Sequence, residues 1–181
     1  MKSLIAGVDE VGRGCLAGPV IAAAVILKKK ISDLDDSKKL SPNKRVELST
    51  IIIENSYYAF GSASPEEIDT VNILQASLLA MKRAILNLPI IPDEVLVDGN
   101  KKPDTDLPTQ TIIGGDSLIA EISAASIIAK VYRDNLMIEF NNKYPNYGFA
   151  QHKGYGTKAH LESIKSFGYC SIHRKTFKGV I

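Results

Sequence analysis

The chain has 181 residues, 45% apolar and 23% charged, which suits one globular domain with a sizeable core and excludes a disordered or low-complexity protein. Its net charge of +2 does not by itself mark a nucleic-acid binder, but the distribution is uneven. From Gln151 onward six cations (Lys153, Lys158, Lys165, Arg174, Lys175, Lys178) face one acid, Glu162, so this end carries +5 and the remainder −3, the pattern of either a solvated face or a surface for a polyanionic partner.

In chain order, residues 3–9 and 18–27 read as strands. The second, "GPVIAAAVIL", is too apolar to own a solvent face and belongs inside a sheet. A polar connection ends at Ser41-Pro42, an N-cap with proline at the first helical position, and a helix runs from there to Glu54. "SYYAFGSA" is a third strand. Ser64 and Glu67 form a capping box, and Ile68, Val71, Leu74, Leu78, Met81 and Ile85 carry one helix across 65–87. "EVLVDG" and "QTIIGG" are short strands. A long helix with a face of small residues (Ala120, Ala124, Ala125, Ala129) runs from Ser117 to Asn142, and Thr157 caps a last helix up to Phe167. The order mixes hairpin-type and crossover connections, so the expected class is α/β with a mixed sheet and helices on its faces. No apolar run reaches transmembrane length and no secretory leader is visible. The two cysteines, Cys15 and Cys170, show no pairing pattern and are expected to be buried or half-buried thiols. The expected compartment is the cytoplasm, with no membrane partner.

Three apolar strands end in an acid: Asp9, followed at once by Glu10, then Asp98, and Asp116 after "TIIGG". Taken alone, Asp116 reads as a helix cap and Asp98-Gly99 as a turn rather than as ligands. The recurrence of acids at strand ends, which line the ligand crevice in sheets with parallel strands, predicts that they converge. Two such charges about 5 Å apart at an effective dielectric of about 20 repel by roughly 3 kcal/mol, so a cluster needs protons or cations. Oxygen donors without His or Cys favour Mg²⁺ or Mn²⁺, and Mg²⁺ is held by carboxylates together with phosphate. Gly12-Arg13-Gly14 beside them offers close backbone approach and one cationic donor to a phosphodiester. In a regular strand Asp9 and Glu10 point to opposite faces, so a shared site requires the strand to fray or bulge, or Glu10 to act through its backbone. "GRGCLA" also fits a dinucleotide-binding fingerprint, that of an oxidoreductase. It opens no helix, however, and two acids precede it, which would repel a pyrophosphate.

The chain resembles ribonuclease HII nearly end to end. "AGVDEVGRGCLAGPVIAAAVIL", "DSKKLSPNKR", "VDGN", "GGDSLIAEISAASIIAKVYRD", "HKGYGT" and "HRKTF" stand in the order of that family's blocks. The resemblance implies a ribonuclease H-like fold with a small C-terminal helical portion, about 145–181, in one catalytic domain spanning 1–181. It implies a monomeric, metal-dependent endonuclease that cuts the RNA strand of RNA–DNA hybrids and cuts 5′ of single ribonucleotides in duplex DNA, leaving 3′-hydroxyl and 5′-phosphate ends. It assigns metal binding and catalysis to Asp9, Glu10, Asp98 and Asp116. Substrate contact falls to Gly12, Arg13 and Gly14 at the 2′-hydroxyl, to Tyr155 stacking on the neighbouring deoxyribose, and to Lys38 near the backbone phosphate. A non-catalytic hybrid-binding protein is the reading from another class. His152 and His160 are expected at the surface, because their spacing fits no standard metal pair, and His173 is expected to be structural.

Overall fold

Five strands form one sheet: β1 (Ile5–Val11), β2 (Val20–Leu27), β3 (Ser56–Ala63), β4 (Glu94–Asp98) and β5 (Thr109–Ile112), in the spatial order β3-β2-β1-β4-β5. The computed structural model describes residues 3–32, 34 and 40–181, and Lys38 lies outside the described residues. β2 is buried over its first seven residues, as its composition requires, and pairs antiparallel with both β1 and β3. β4 and β5 run parallel on the other side of β1. The sheet is therefore mixed, with crossovers only where strands are parallel.

Helices cover both faces. α1 (Pro42–Glu54) starts at Ser41, whose hydroxyl accepts from the Lys44 amide at 3.3 Å. The helix expected across 65–87 is two helices, α2 (Pro65–Val71) and α3 (Ile73–Leu86). The break is Asn72, at φ +70°, whose side-chain oxygen caps the amides of Leu74 and Gln75 at 3.0 and 3.2 Å. Asparagine caps helices through its side-chain oxygen, a signal that apolar periodicity alone does not register. The capping box of Ser64 and Glu67 forms at the start of α2. α4 (Ala120–Lys143) begins three residues later than expected, after a 3₁₀ turn at Gly115–Ser117. Beyond it lie a short helix, α5 (Phe149–His152), and α6 (Lys158–Phe167), capped by Thr157. Among the described residues no helix is long and apolar enough to cross a membrane.

α2 and α3 pack on the face that carries Ala6, Val8, Val20, Ala22, Val95 and Val97. α4 and α1 pack on the other, over Ile21, Ala23 and Val25, with Ala124, Ala125 and Ala129 fully buried at the contact. The approach is close enough to dictate glycine twice. A methyl at Gly7 would lie 2.1 Å from the Glu121 carbonyl carbon on α4, and one at Gly61 would lie 2.1 Å from the Ala80 oxygen on α3. On the edge strand β3, Arg83 donates to the Ser62 carbonyl at 2.7 Å and Asn87 to that of Phe60 at 3.1 Å, while Tyr132 of α4 stacks on Phe60.

Gly7→Ala and Gly61→Ala are expected to cost about 1–3 kcal/mol or more by overpacking, a fall of roughly 5 °C or more in thermal unfolding. Gly14→Ala, whose methyl would meet nothing within 4 Å, is expected to leave the unfolding temperature unchanged.

Candidate active site

β1 and β4 are parallel neighbours, with Val8 beside Val97. The next residue on each strand is an acid, so Asp9 and Asp98 emerge side by side at the carboxyl ends. Val8 and Val97 are buried towards α3. Alternation along a strand therefore turns Asp9 and Asp98 towards α4, where Ser126 of α4 hydrogen-bonds Asp9. Asp116 reaches the same side from the 3₁₀ turn that precedes α4, and a methyl on its neighbour Gly115 would come within 3.5 Å of Asp98 Oδ1. Asp116 does not cap α4, whose N-cap is Ile119.

Glu10 follows the same rule to the opposite face. β1 neither frays nor bulges there, since Glu10 pairs with Ala22 and Val11 with Ile21. Glu10 nonetheless borders the cleft because the sheet ends at this point. Its Oε1 accepts from Arg13 Nη1 at 3.0 Å. All four acids line one cleft of about 360 Å³, together with Arg45, Ser126, Lys130 and Tyr155. A larger cleft, about 490 Å³, opens between the end of α3 and residues 104–107. It is mostly apolar, and its Asp104 is exposed and paired with Lys82 at 2.8 Å.

The electrostatics of the cleft are those of crowded acids. Burial first, then the charges of Glu10 and Asp98, hold the Asp9 carboxyl well above the usual aspartate range. The Ser126 hydroxyl and the Glu10 amide, the latter 2.7 Å from Oδ1, offset this only in part. Asp98 Oδ1 is buried with no hydrogen-bond partner among the described residues, a state that calls for a proton or a cation. Among the described residues no three His, Cys, Asp or Glu side chains close on a common point as a ready-made metal cage.

Beside them, residues 12–19 are held by two arginines that sequence patterns gave no reason to single out. Arg174, fully buried, donates to the carbonyls of Gly12 (2.7 Å), Arg13 (2.9 Å) and Gly18 (2.8 and 3.0 Å). Arg133, also fully buried, donates to Pro19 (3.0 Å), Ala17 (3.0 Å) and Lys153 (2.8 Å). Burial lowers the Arg174 guanidinium to about 10. Gly12 has φ +95°, and a methyl there would lie 2.2 Å from Arg133 Nε. Gly14 has no such constraint inside the protein.

Tyr155 lines the cleft from the far side, bridged to Cys15 by backbone pairing, with Lys130 Nζ 5.9 Å from its ring centre. Lys130 also pairs with Asp134 at 2.7 Å. The expectation of surface histidines is overturned. His160 is fully buried and stacks on a partly buried His152 at 4.3 Å. Burial lowers all three histidines, His173 to about 4. Cys15 is buried and Cys170 half-buried, as expected.

A family model described as ribonuclease HII matches residues 6–180. The ribonuclease HII of Alteromonas mediterranea is 56% identical over 183 residues, covering 99% of this chain and 96% of its own length. That of Pseudoalteromonas atlantica is 56% identical over 183 residues, covering 99% and 93%. The crystal structure of ribonuclease H2 from Pyrococcus horikoshii aligns with a TM-score of 0.80 at 27% identity, covering 97% of this chain and 94% of its own.

Arg174→Met is expected to strip charged donors from three carbonyls, those of Gly12 and Gly18 buried and that of Arg13 partly so. At about 1–3 kcal/mol for each group left unmet, thermal unfolding should fall by roughly 10 °C, measured by calorimetry.

Proposed function

The chain belongs to the ribonuclease HII family, and on that premise we propose that Asp9, Glu10, Asp98 and Asp116 hold divalent cations, Mg²⁺ or Mn²⁺, for cleavage of ribonucleotide-containing strands. The activity is that of an endonuclease on RNA–DNA hybrids and on ribonucleotides within duplex DNA, leaving 3′-hydroxyl and 5′-phosphate ends. The observation that carries the metal assignment is electrostatic. The Asp9 carboxyl is pushed upward by burial and then by the charges of Glu10 and Asp98, and Asp98 keeps a buried oxygen without a hydrogen-bond partner among the described residues, in a cleft whose acidic donors are all oxygen. Bound there, divalent cations supply positive charge to the scissile phosphodiester and activate water for in-line attack.

The chain's own residues do the rest. Ser126 and the Glu10 amide orient the Asp9 carboxylate. Arg45 and Lys130 border the cleft and draw a polyanion towards the acids. Residues 12–14 present main chain to the substrate. Arg174 fixes the carbonyls of Gly12 and Arg13 from inside, and Gly14, unconstrained by the protein, leaves room for a sugar-phosphate backbone. Choice of RNA over DNA rests on the 2′-hydroxyl, the group that differs at the cut. Tyr155, 41% exposed, offers a flat ring blind to base identity. The exposed lysines of the C-terminal end, Lys158, Lys165, Lys175 and Lys178, hold flanking phosphates and make binding salt-dependent.

A gel assay on a duplex with one ribonucleotide, with and without Mg²⁺ or Mn²⁺, tests the whole reading. Binding without nicking in either metal would overturn it. Asp9→Asn is expected to cut the rate at least about a hundredfold, the scale of losing one electrostatic group at a reacting centre. In metal-free buffer near pH 7 the same variant should unfold a few degrees higher, by roughly the energy of one like-charge contact. Folding raises the Asp9 carboxyl, so its ionisation opposes the native state above the ordinary aspartate value of about 4. The gain should therefore shrink as pH falls and vanish below about 4, where the carboxyl is protonated in both states.

A further inference from the structure

All three histidines of the chain gather behind Tyr155, and the hydrogen bonds of His173 and His160 form a chain with one direction. The Cys170 amide donates to His173 Nδ1 at 2.9 Å, so that nitrogen is bare and a neutral ring carries its proton on Nε2. His173 Nε2 lies 3.0 Å from His160 Nε2, which must therefore accept. The His160 proton is then on Nδ1, 2.9 Å from the Tyr155 carbonyl, an acceptor that needs a donor. His152 is fixed the same way: Nδ1 accepts from the Gly154 amide at 3.2 Å, and Nε2 donates to the Tyr147 carbonyl at 2.6 Å. No second proton fits in the His173–His160 pair, because it would set donor against donor at Cys170 or between the rings.

We propose that His173 and His160 act as a positioning relay for Tyr155, a role that rests on the reading of Tyr155 as a substrate contact. Tyr155 needs one. It follows Lys153 at φ +52° and Gly154 at φ +86°, two left-handed residues in succession. Its carbonyl is held by the Thr157 amide at 2.8 Å and by His160. The relay begins at Cys170 and passes through His173, next in sequence to Arg174. One short segment thus sets both sides of the substrate surface: Arg174 holds residues 12–18, and His173, through His160, holds Tyr155. Burial among Tyr147, Phe149 and Cys170 keeps the His173 ring neutral, the only state the relay accommodates.

Two amide replacements separate this role from simple filling of space. In His160→Asn the side-chain amide stands where Nδ1 stood and can still donate to Tyr155. In His160→Gln it reaches only towards His173. On a duplex with one ribonucleotide and Mn²⁺, His160→Asn should stay within about twofold of wild type, and His160→Gln should lose about tenfold, the scale of one hydrogen bond. Combined with Tyr155→Ala, His160→Gln should add no further loss. Equal activity of the two amide variants, or losses that multiply in the double variant, would overturn the relay. If His160→Gln does not fold, long-range proton–nitrogen spectra of the wild-type protein decide: His160 protonated on Nδ1 and His173 on Nε2 support the relay, and the opposite tautomer at His160 ends it. Full activity of Tyr155→Ala alone would remove the reading of Tyr155 and the positioning role with it, while the tautomers still report on the hydrogen-bond chain itself.

Discussion

Two guanidinium groups buried without a carboxylate partner among the described residues hold residues 12–19 in place beside the acidic cleft. A buried cation usually keeps an anion beside it, because desolvation otherwise costs several kcal/mol. Here main-chain carbonyls take that role, and each bond to a charged donor is stronger than a neutral one. The exchange has a structural result. An anion partner would spend the donors on one side chain, whereas carbonyls of Gly12, Arg13, Ala17, Gly18, Pro19 and Lys153 bring separate stretches of backbone to a fixed spacing. Gly12 must be glycine partly because the Arg133 side chain occupies the space where its methyl would be.

The acids answer to a different constraint. Asp9, Asp98 and Asp116 come from one side of the sheet and Glu10 from the other, so the cleft straddles the sheet's end. That arrangement lets four carboxylates border one space while one of them leans away towards Arg13. The strand does not need to distort to bring Glu10 in, because beyond Val11 no sheet separates the two faces.

Much of this was readable in advance, and the limits were physical. The apolar stretch of β2 and the capping motifs at Ser41, Ser64 and Thr157 are local signals, and each formed where it stood. Acids at three strand ends were visible because a strand has a direction and an end. The break at Asn72 was hidden because one residue at positive φ leaves the apolar spacing on either side intact. Arg133 and Arg174 were hidden for a deeper reason. Their partners lie up to 162 positions away and are backbone atoms, which carry no sequence signature. The histidine cluster leaves no signature in residue spacing, because its contacts are set by the tertiary fold. The actual partners of the three rings are one another and four peptide groups.

One feature far from the cleft governs how the molecule meets copies of itself. β3 is a long outer strand, and such a strand ordinarily offers a ladder of free peptide groups on which another chain can nucleate. Arg83 and Asn87 already occupy the oxygens of Ser62 and Phe60. To pair along residues 60–62 an incoming segment would have to evict a guanidinium and an amide and unstack Tyr132 from Phe60. A helix laid alongside thus guards this border of the sheet against growth into fibres.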